Sequence, residues 1–167
     1  MTRREPAILL ALLTVALLVS GIAPRDRFTW FLEVAPVLIG VPILIATYRR
    51  FPLTPLAYRL LLLHALILIV GGHYTYAEVP LGFWMKEGFG FARNHYDRIG
   101  HFAQGFVPAI VAREVLRRKV GLRPGGWLFF LVTCVCLAIS ASYELFEWAT
   151  AVATLASFLL LAITSAA

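Results

Sequence analysis

The sequence predicts an all-α fold, a polytopic transmembrane helix bundle of five spans followed by an apolar tail. Hydrophobic residues make up 60% of the 167 residues and charged residues only 14%, with a mean hydropathy of +0.82. Soluble domains carry about a quarter charged residues, and a chain this short cannot enclose so much apolar surface in a water-soluble core. Long apolar runs, each near the ~20 residues that a span needs, complete the prediction.

One integral membrane domain, residues 1–167, is expected, with five spans in order along the chain. The spans are predicted at residues 6–23, 31–48, 56–72, 99–115 and 126–147. The fourth is the weakest, because His101, Gln104 and Arg113 interrupt its apolar character. Residues 73–98 form a long outer loop, whose aromatic residues are typical of an interfacial belt. The tail, residues 149–166, is expected either to form a sixth span or to lie in the membrane interface.

The first apolar run can be interpreted in two ways. Gly21 and Ala23 are small residues at a plausible cleavage point, as in a secretory signal peptide. The length of the apolar stretch favours an uncleaved anchor instead. Both interpretations leave the orientation of the remaining spans unchanged.

Basic residues between the spans predict that the N-terminus lies in the cytoplasm. They cluster in alternate connections, at Arg3 and Arg4, at Arg49, Arg50 and Arg59, and at Arg113, Arg117, Arg118, Lys119 and Arg123. Cytoplasmic connections carry such an excess, so the fourth span must cross the membrane. The net charge of +6 therefore reflects orientation signals rather than nucleic-acid binding. The Arg113–Arg123 cluster is expected to contact anionic lipid headgroups among the membrane lipids.

The apolar run from Gly126 to Ile163 is too long for a single span. As one helix it would measure about 57 Å, nearly twice a hydrocarbon core of about 30 Å. The run must therefore break or leave the membrane. The polar stretch from Ser142 to Trp148 is the expected position of the break.

Polar residues are expected to converge at the periplasmic ends of three spans. At about 100° per residue, Asp97, His101 and Gln104 share one face of the fourth span, with Asn94 beside them. His73 directly follows the third span. The fifth span enters from the cytoplasm and brings further polar residues to the same level, namely Ser140, Tyr143, Glu144 and Glu147.

Histidines and carboxylates at one depth suit acid–base chemistry, a proton relay or a divalent metal ion. The catalytic candidates, with Asp97 orienting His101, are His101, Asp97, Glu144 and Glu147. The candidate ligands of a divalent metal, the one cofactor that the set suggests, are His73, His101, Glu144 and Glu147. The substrate would belong to the cell envelope or be a lipid. Recognisable nucleotide, dinucleotide and haem motifs are absent from the sequence.

Two other classes of protein fit the same residues. A small proton-coupled transporter or channel would use the same carboxylates, and at this size it would need to form homo-oligomers. A non-catalytic scaffold would use them as links between helices, with Asp97 and His101 as an i, i+4 pair. Glu144 and Glu147 lie one helical turn apart and repel at low dielectric unless a cation, a shared proton or a basic partner is present. Packing alone does not explain that cost.

Three segments strongly resemble the YjdF-like family of bacterial inner-membrane proteins. They read "HYTYAEVP" from His73, "RNHYDRIGHFAQGFVPA" from Arg93 and "YELFEW" from Tyr143. The resemblance is close from His73 to Trp148 and extends in general character to the upstream spans. It implies a small multi-pass membrane protein and carries no established activity.

A weaker similarity links two short motifs to VanZ-like membrane proteins. "DRIGHF", Asp97 to Phe102, and "YELFE", Tyr143 to Glu147, are the counterparts of an Asp-Lys-x-x-His-Phe motif and a later glutamate motif. The resemblance implies an association with the cell envelope and no settled mechanism. The chain departs from the YjdF-like pattern after Glu147, where a polar segment rich in Gly and Asp is expected and an apolar tail follows instead.

Overall fold

The computed structural model describes the backbone of residues 4–165 and the side chains of residues 4–157, and all regular structure in that part is helical. Six helices are present: α1 Glu5–Ser20, α2 Arg27–Thr47, α3 Pro55–Tyr74, α4 Pro80–Phe89, α5 Tyr96–Arg118 and α6 Gly126–Ser165. A 3₁₀ turn, Tyr76–Glu78, links α3 to α4. The predicted all-α, polytopic membrane fold is confirmed. Arg3 of the first basic cluster and residue 166 of the predicted tail lie outside the described residues.

Side-chain caps fix where the second and third helices begin. The Asp26 carboxylate accepts a hydrogen bond of 2.6 Å from the Thr29 N–H, and the Thr54 hydroxyl accepts one of 3.4 Å from the Ala57 N–H. Such caps satisfy N–H groups that have no partner within the helix. Pro55, whose missing N–H costs nothing at this position, opens α3. The start of α2 therefore precedes the predicted span, because the cap and not hydropathy determines it.

Helix α3 lies at the centre of the bundle. It packs against α1, α2 and α5, and α6 packs against α5. Val37 of α2 meets Ala65 and Leu68 of α3 in a small core, to which Leu13 and Tyr76 add partly buried surface. The helices present most of their other apolar side chains to the outside of the bundle. That arrangement suits a protein whose solvent is lipid.

The two ends of the bundle carry different chemistry. At one end, here called the Glu114 end, α1 and α3 begin and α5 finishes. The Glu114 carboxylate, 8% exposed, accepts hydrogen bonds of 2.8 Å from both the N–H and the hydroxyl of Thr54. Glu114 also pairs with Arg118, whose guanidinium donates to the Pro52 carbonyl at 2.8 Å. The opposite end, here called the Glu33 end, contains the last turns of α1 and α3 and the first turns of α2 and α5.

Helix α5 extends antiparallel along α3 from one end of the bundle to the other. Near the Glu33 end, the Tyr96 hydroxyl donates to the Ile67 carbonyl at 3.2 Å, and Glu114 holds Thr54 at the opposite end. By length and composition, α2, α3 and α6 qualify as membrane-crossing helices among the described residues, and α1 is a shorter apolar helix. The crossing of α5 stays a prediction, favoured by its alignment with α3.

The predicted break within residues 142–148 is wrong. Helix α6 continues from Gly126 to Ser165, a length of about 60 Å at 1.5 Å per residue. The segment contains no Gly or Pro that would interrupt the backbone hydrogen bonds. The polar side chains of Tyr143 and Glu147 instead project from one face of the continuous helix, one turn apart. Residues 126–147 and 149–165 therefore belong to one helix. The other outcome predicted for this run, that it leaves the membrane, stays a prediction.

Candidate functional site

His73, in the last turn of α3, links helices at the Glu33 end. Its Nδ1 lies 2.8 Å from the Ser20 carbonyl oxygen, and the Ser20 hydroxyl accepts a hydrogen bond of 3.0 Å from Trp30 Nε1. The Arg25 N–H donates to the His73 carbonyl at 2.9 Å, and the Arg25 guanidinium forms a 2.6 Å ion pair with Glu78. The imidazole predicted as a metal ligand is thus engaged in joining α1, α2 and α3.

Tyr76 reaches between α3 and α5 because two glycines make room for its ring. A Cβ atom on Gly71 would lie 2.5 Å from the Tyr76 ring, and one on Gly100 would lie 2.8 Å from it. The Tyr96 ring lies beside it, with 5.8 Å between centroids. Burial, and then the nearby Glu33 carboxylate, raise the pKa of Tyr76. Its hydroxyl therefore keeps its proton and can donate it in a hydrogen bond.

Glu33, in the second turn of α2, is the functional candidate that the sequence analysis missed. The hydroxyls of Tyr76 and Tyr143 lie next to its carboxylate, and the charge of Glu147 acts on it. Gly72 allows α3 to approach, since a Cβ atom there would lie 3.0 Å from Glu33 Cβ. Glu33, Tyr76, Tyr143 and Glu147 are called the Glu33–Glu147 cluster below.

Helix α6 supplies the other half of the Glu33–Glu147 cluster. The Tyr143 hydroxyl donates to the Leu32 carbonyl of α2 at 3.3 Å, which fixes the height of α6 against α2. Glu147 lies near Tyr143 on its own helix and interacts electrostatically with Glu144 and with His101 of α5. Glu147 is partly buried, whereas Glu144 and His101 are exposed. The predicted neighbours His101, Glu144 and Glu147 are therefore brought together, with Glu147 innermost.

Asp97 is placed differently from the role predicted for it. Its carboxylate forms an ion pair of 3.0 Å with Arg93 and accepts a hydrogen bond of 2.9 Å from the Arg98 N–H. Among the described residues, no hydrogen bond or ion pair joins it to His101. Asp97 thus stabilises the first turn of α5 rather than orienting the imidazole.

The remaining predicted pocket residues divide into two places. Asn94 is buried, donates from Nδ2 to the Val79 carbonyl at 2.9 Å and accepts from the Tyr96 N–H at 3.0 Å. It therefore connects the loop after α3 to the start of α5. Gln104 Nε2 donates to the Ser140 hydroxyl at 3.4 Å. That bond joins α5 to α6 about one turn from Tyr143 and about two turns from Glu147 along α6.

The predicted metal ligands do not form a coordination site in this arrangement. Within the part of the chain that the structure describes, no three His, Cys, Asp or Glu side chains are grouped closely enough to hold an ion. The His73 imidazole is bound to the Ser20 carbonyl. A divalent site usually needs at least three protein donors, and the residues present do not fit that requirement.

One sequence signal could have identified Glu33. It is the only charged residue within the second predicted span, residues 31–48. An ionisable residue inside a span usually faces the bundle interior or a water-filled cavity because its exposure to lipid is costly. Glu33 is therefore a functional candidate for the same reason as Glu144 and Glu147. Its partners, in contrast, could not be read from spacing, since Tyr76 and Tyr143 come from distant parts of the chain.

Comparisons with known proteins agree on the class of this chain. A family model described as "Predicted membrane protein (DUF2238)" matches residues 5–162. The chain is also 57% identical over 141 residues to the inner membrane protein YjdF of Escherichia coli, covering 84% of this chain and 68% of that protein. No solved structure matches. The resemblance to YjdF-like proteins is thereby confirmed.

Proposed function

Because this chain belongs to the DUF2238 family of predicted membrane proteins, we propose that it is a multi-pass inner-membrane protein whose Glu33–Glu147 cluster carries out acid–base chemistry. The substrate class is an envelope-linked or lipid molecule that reaches the Glu33 end of the bundle. The inner-membrane location follows the E. coli relative. The cytoplasmic N-terminus follows the basic clusters.

One observation carries the proposal: two carboxylates from different spans lie close enough to interact electrostatically, with the Tyr143 side chain beside both. Glu33 of α2 and Glu147 of α6 interact electrostatically, and Tyr143 is adjacent to both. Two carboxylates that share a site repel each other unless a proton or a cation lies between them. A pair that holds one proton can act as both acid and base, as general acid–base catalysis requires.

The side chains around the pair suit proton transfer to the bundle surface. The Tyr76 hydroxyl donates towards Glu33, and its raised pKa keeps it from becoming a competing anion. His101 and Glu144 are exposed beside Glu147. An imidazole can both accept and donate a proton, so His101 connects Glu147 to the outside of the bundle.

The surroundings of the cluster favour a substrate in the lipid headgroup layer. Helix α4 follows Tyr76 closely and exposes Trp84 at 71% and Phe89 at 72%. Exposed aromatic side chains at such a position are typical of the membrane–water interface. A headgroup or an envelope precursor anchored in the bilayer would therefore meet the cluster at its own depth.

The test is infrared difference spectroscopy of the protein in liposomes between acidic and alkaline pH. We expect the carbonyl band of a protonated carboxylic acid in the parent protein, lost in Glu33→Gln and in Glu147→Gln. Glu78→Gln is the matched control, since Glu78 lies at the same end but is paired with Arg25, and it should keep the band. An unchanged band in both cluster variants would remove the proposal.

The same variants separate the two competing classes. A proton-coupled carrier would import its substrate into proteoliposomes together with protons, and Glu147→Gln would abolish that uptake. A scaffold would tolerate Glu147→Gln with a higher melting temperature and no change in envelope phenotype. An acid–base site would combine such stabilisation with loss of the phenotype, because active sites often carry destabilising polar groups.

A further inference from the structure

A groove of about 660 Å³ lies between α5 and α6, apart from the Glu33–Glu147 cluster. On the α5 side, His101, Gly105 and Arg113 mark its beginning, middle and end. These positions span about 18 Å along the helix axis. One leaflet's share of a hydrocarbon core of about 30 Å is about 15 Å. The groove therefore has the length of an acyl chain from a single leaflet.

The wall of the groove is apolar once internal hydrogen bonds are counted. The Thr133 hydroxyl donates to the Phe129 carbonyl of its own helix at 2.9 Å. The Ser140 hydroxyl accepts from Gln104 at 3.4 Å. Much of the remaining lining is aliphatic, with Ile110 and Leu128 among its members. Hydrocarbon fits such a wall better than a file of water molecules, which would need several polar partners each.

Gly105 keeps the middle of the groove open. A Cβ atom at this position would meet no other atom within 4 Å. Glycine weakens a helix relative to alanine, and nothing packs closely enough to Gly105 to require a glycine there. Its effect is to widen the groove where α5 faces α6.

Arg113 supplies a positive charge at the Glu114 end of the groove. Among the residues the structure describes, no carboxylate lies within ion-pairing distance of its guanidinium, whereas Arg118, on the same helix, is paired with Glu114. An arginine fork matches the geometry of a phosphate group. An unpaired guanidinium group therefore lies at the end of an apolar groove.

We propose that the α5–α6 groove binds one acyl chain of an anionic phospholipid, with the phosphate held at Arg113. The phosphate contact at Arg113 does not rest on the proposed acid–base function, because it lies at the opposite end of the bundle from Glu33; the two sites share only His101, at the far end of the groove. The proposal also specifies the lipid contact expected for the Arg113–Arg123 cluster: Arg113 binds the phosphate and the α5–α6 groove binds the acyl chain.

The first test measures phosphatidylglycerol binding to the purified, delipidated protein by native mass spectrometry. Gly105→Leu places a side chain in the groove at a position where a Cβ atom meets nothing within 4 Å, and we expect at least about tenfold weaker binding from the lost chain contacts. Gly88→Leu is the matched control, since a Cβ atom at Gly88 also meets nothing within 4 Å and α4 lies outside the groove. Equal binding by both variants, whether retained or lost, would overturn the proposal.

The second test distinguishes binding of the lipid headgroup from binding of the acyl chain. Arg113→Gln should weaken phosphatidylglycerol binding about tenfold and leave diacylglycerol with the same chains, which carries no phosphate, unaffected. Arg117→Gln, one turn further along α5, should retain the preference for the anionic lipid. A preference that survives Arg113→Gln, or that falls equally in both variants, would show only general attraction to basic residues and would exclude the site.

The two native cysteines provide a measurement that needs no groove-filling variant. Cys136 lines the groove, while Cys134 is exposed and lies outside the lining. In single-cysteine proteins, added phosphatidylglycerol should slow the reaction of a lipid-soluble maleimide at Cys136 and leave Cys134 unaffected. Equal rates with and without lipid at Cys136 would contradict occupancy of the groove.

Discussion

At the residue scale, glycines decide which side chains can enter the helix interfaces. Gly71 and Gly100 admit the Tyr76 ring, and Gly82 admits Asn94. Each contact places a polar side chain between helices where any larger residue would exclude it. Because these glycines follow no period that sequence reading would detect, the entry of Tyr76 to a position beside Glu33 was not predicted.

Gly82→Ala is expected to destabilise the protein, because its Cβ atom would collide with the Asn94 side chain. Overpacking of this kind costs about 1–3 kcal/mol, and it would also disturb the hydrogen bonds of a buried amide. Thermal unfolding in detergent measures the change. Gly88→Ala in the same helix meets open space and should raise the melting temperature slightly through better helix propensity. A lower melting temperature for the control than for Gly82→Ala would contradict this account.

At the element scale, the continuity of α6 determines what its polar face can reach. Because no Gly or Pro interrupts it, Tyr143 and Glu147 stay in helical register with Ser140. In that register, the Ser140 hydroxyl accepts a hydrogen bond from Gln104, and the Tyr143 hydroxyl donates one to the Leu32 carbonyl. A break at the polar stretch would have turned Glu147 away from α2, so the uninterrupted helix is a condition for the Glu33–Glu147 cluster.

At the Glu114 end, hydrogen bonds from Thr54 to Glu114 join the start of α3 to the end of α5, and we predict how much they stabilise the fold. Glu114→Ala removes the acceptor of both Thr54 bonds and leaves Arg118 without its carboxylate. Because the Arg118 side chain is 42% exposed, its charge stays hydrated, and the loss comes mainly from the unsatisfied Thr54 donors, about 1–3 kcal/mol, measured as the free energy of unfolding in denaturant. Arg117→Ala, exposed on the same helix, should change that free energy by less than about 0.5 kcal/mol. Comparable losses of unfolding free energy in both variants would show that Glu114 does not hold α5 to α3.

At the scale of the whole molecule, the bundle separates its polar functions between two ends. The Glu33 end contains paired carboxylates and tyrosines. The Glu114 end contains the described members of the basic clusters, which the positive-inside rule assigns to the cytoplasm. This separation puts the proposed acid–base site on the periplasmic side and the proposed phosphate contact at Arg113 on the cytoplasmic side.

This orientation is tested with single cysteines in a chain that carries Cys134→Ser and Cys136→Ser. We expect Gly88→Cys, in α4 at the Glu33 end, to react with a membrane-impermeant maleimide in intact spheroplasts. Val120→Cys, 62% exposed beyond α5, should react only after lysis. The reverse pattern would place the Glu33–Glu147 cluster in the cytoplasm and exclude a periplasmic substrate.

The sequence alone determined the class of the protein and the approximate positions of its second and third helices. Hydropathy and charge are local properties, so composition and the basic clusters sufficed for spans 31–48 and 56–72. Helix α3 contains the second of these spans, and α2 contains the first except for Tyr48. Tertiary structure alone decided which residues meet. It placed Glu33 with Glu147 and committed His73 to Ser20 and Asp97 to Arg93. These pairings depend on how far each helix is rotated about its axis and on which glycines permit close approach, and neither quantity is encoded at a fixed spacing along the chain.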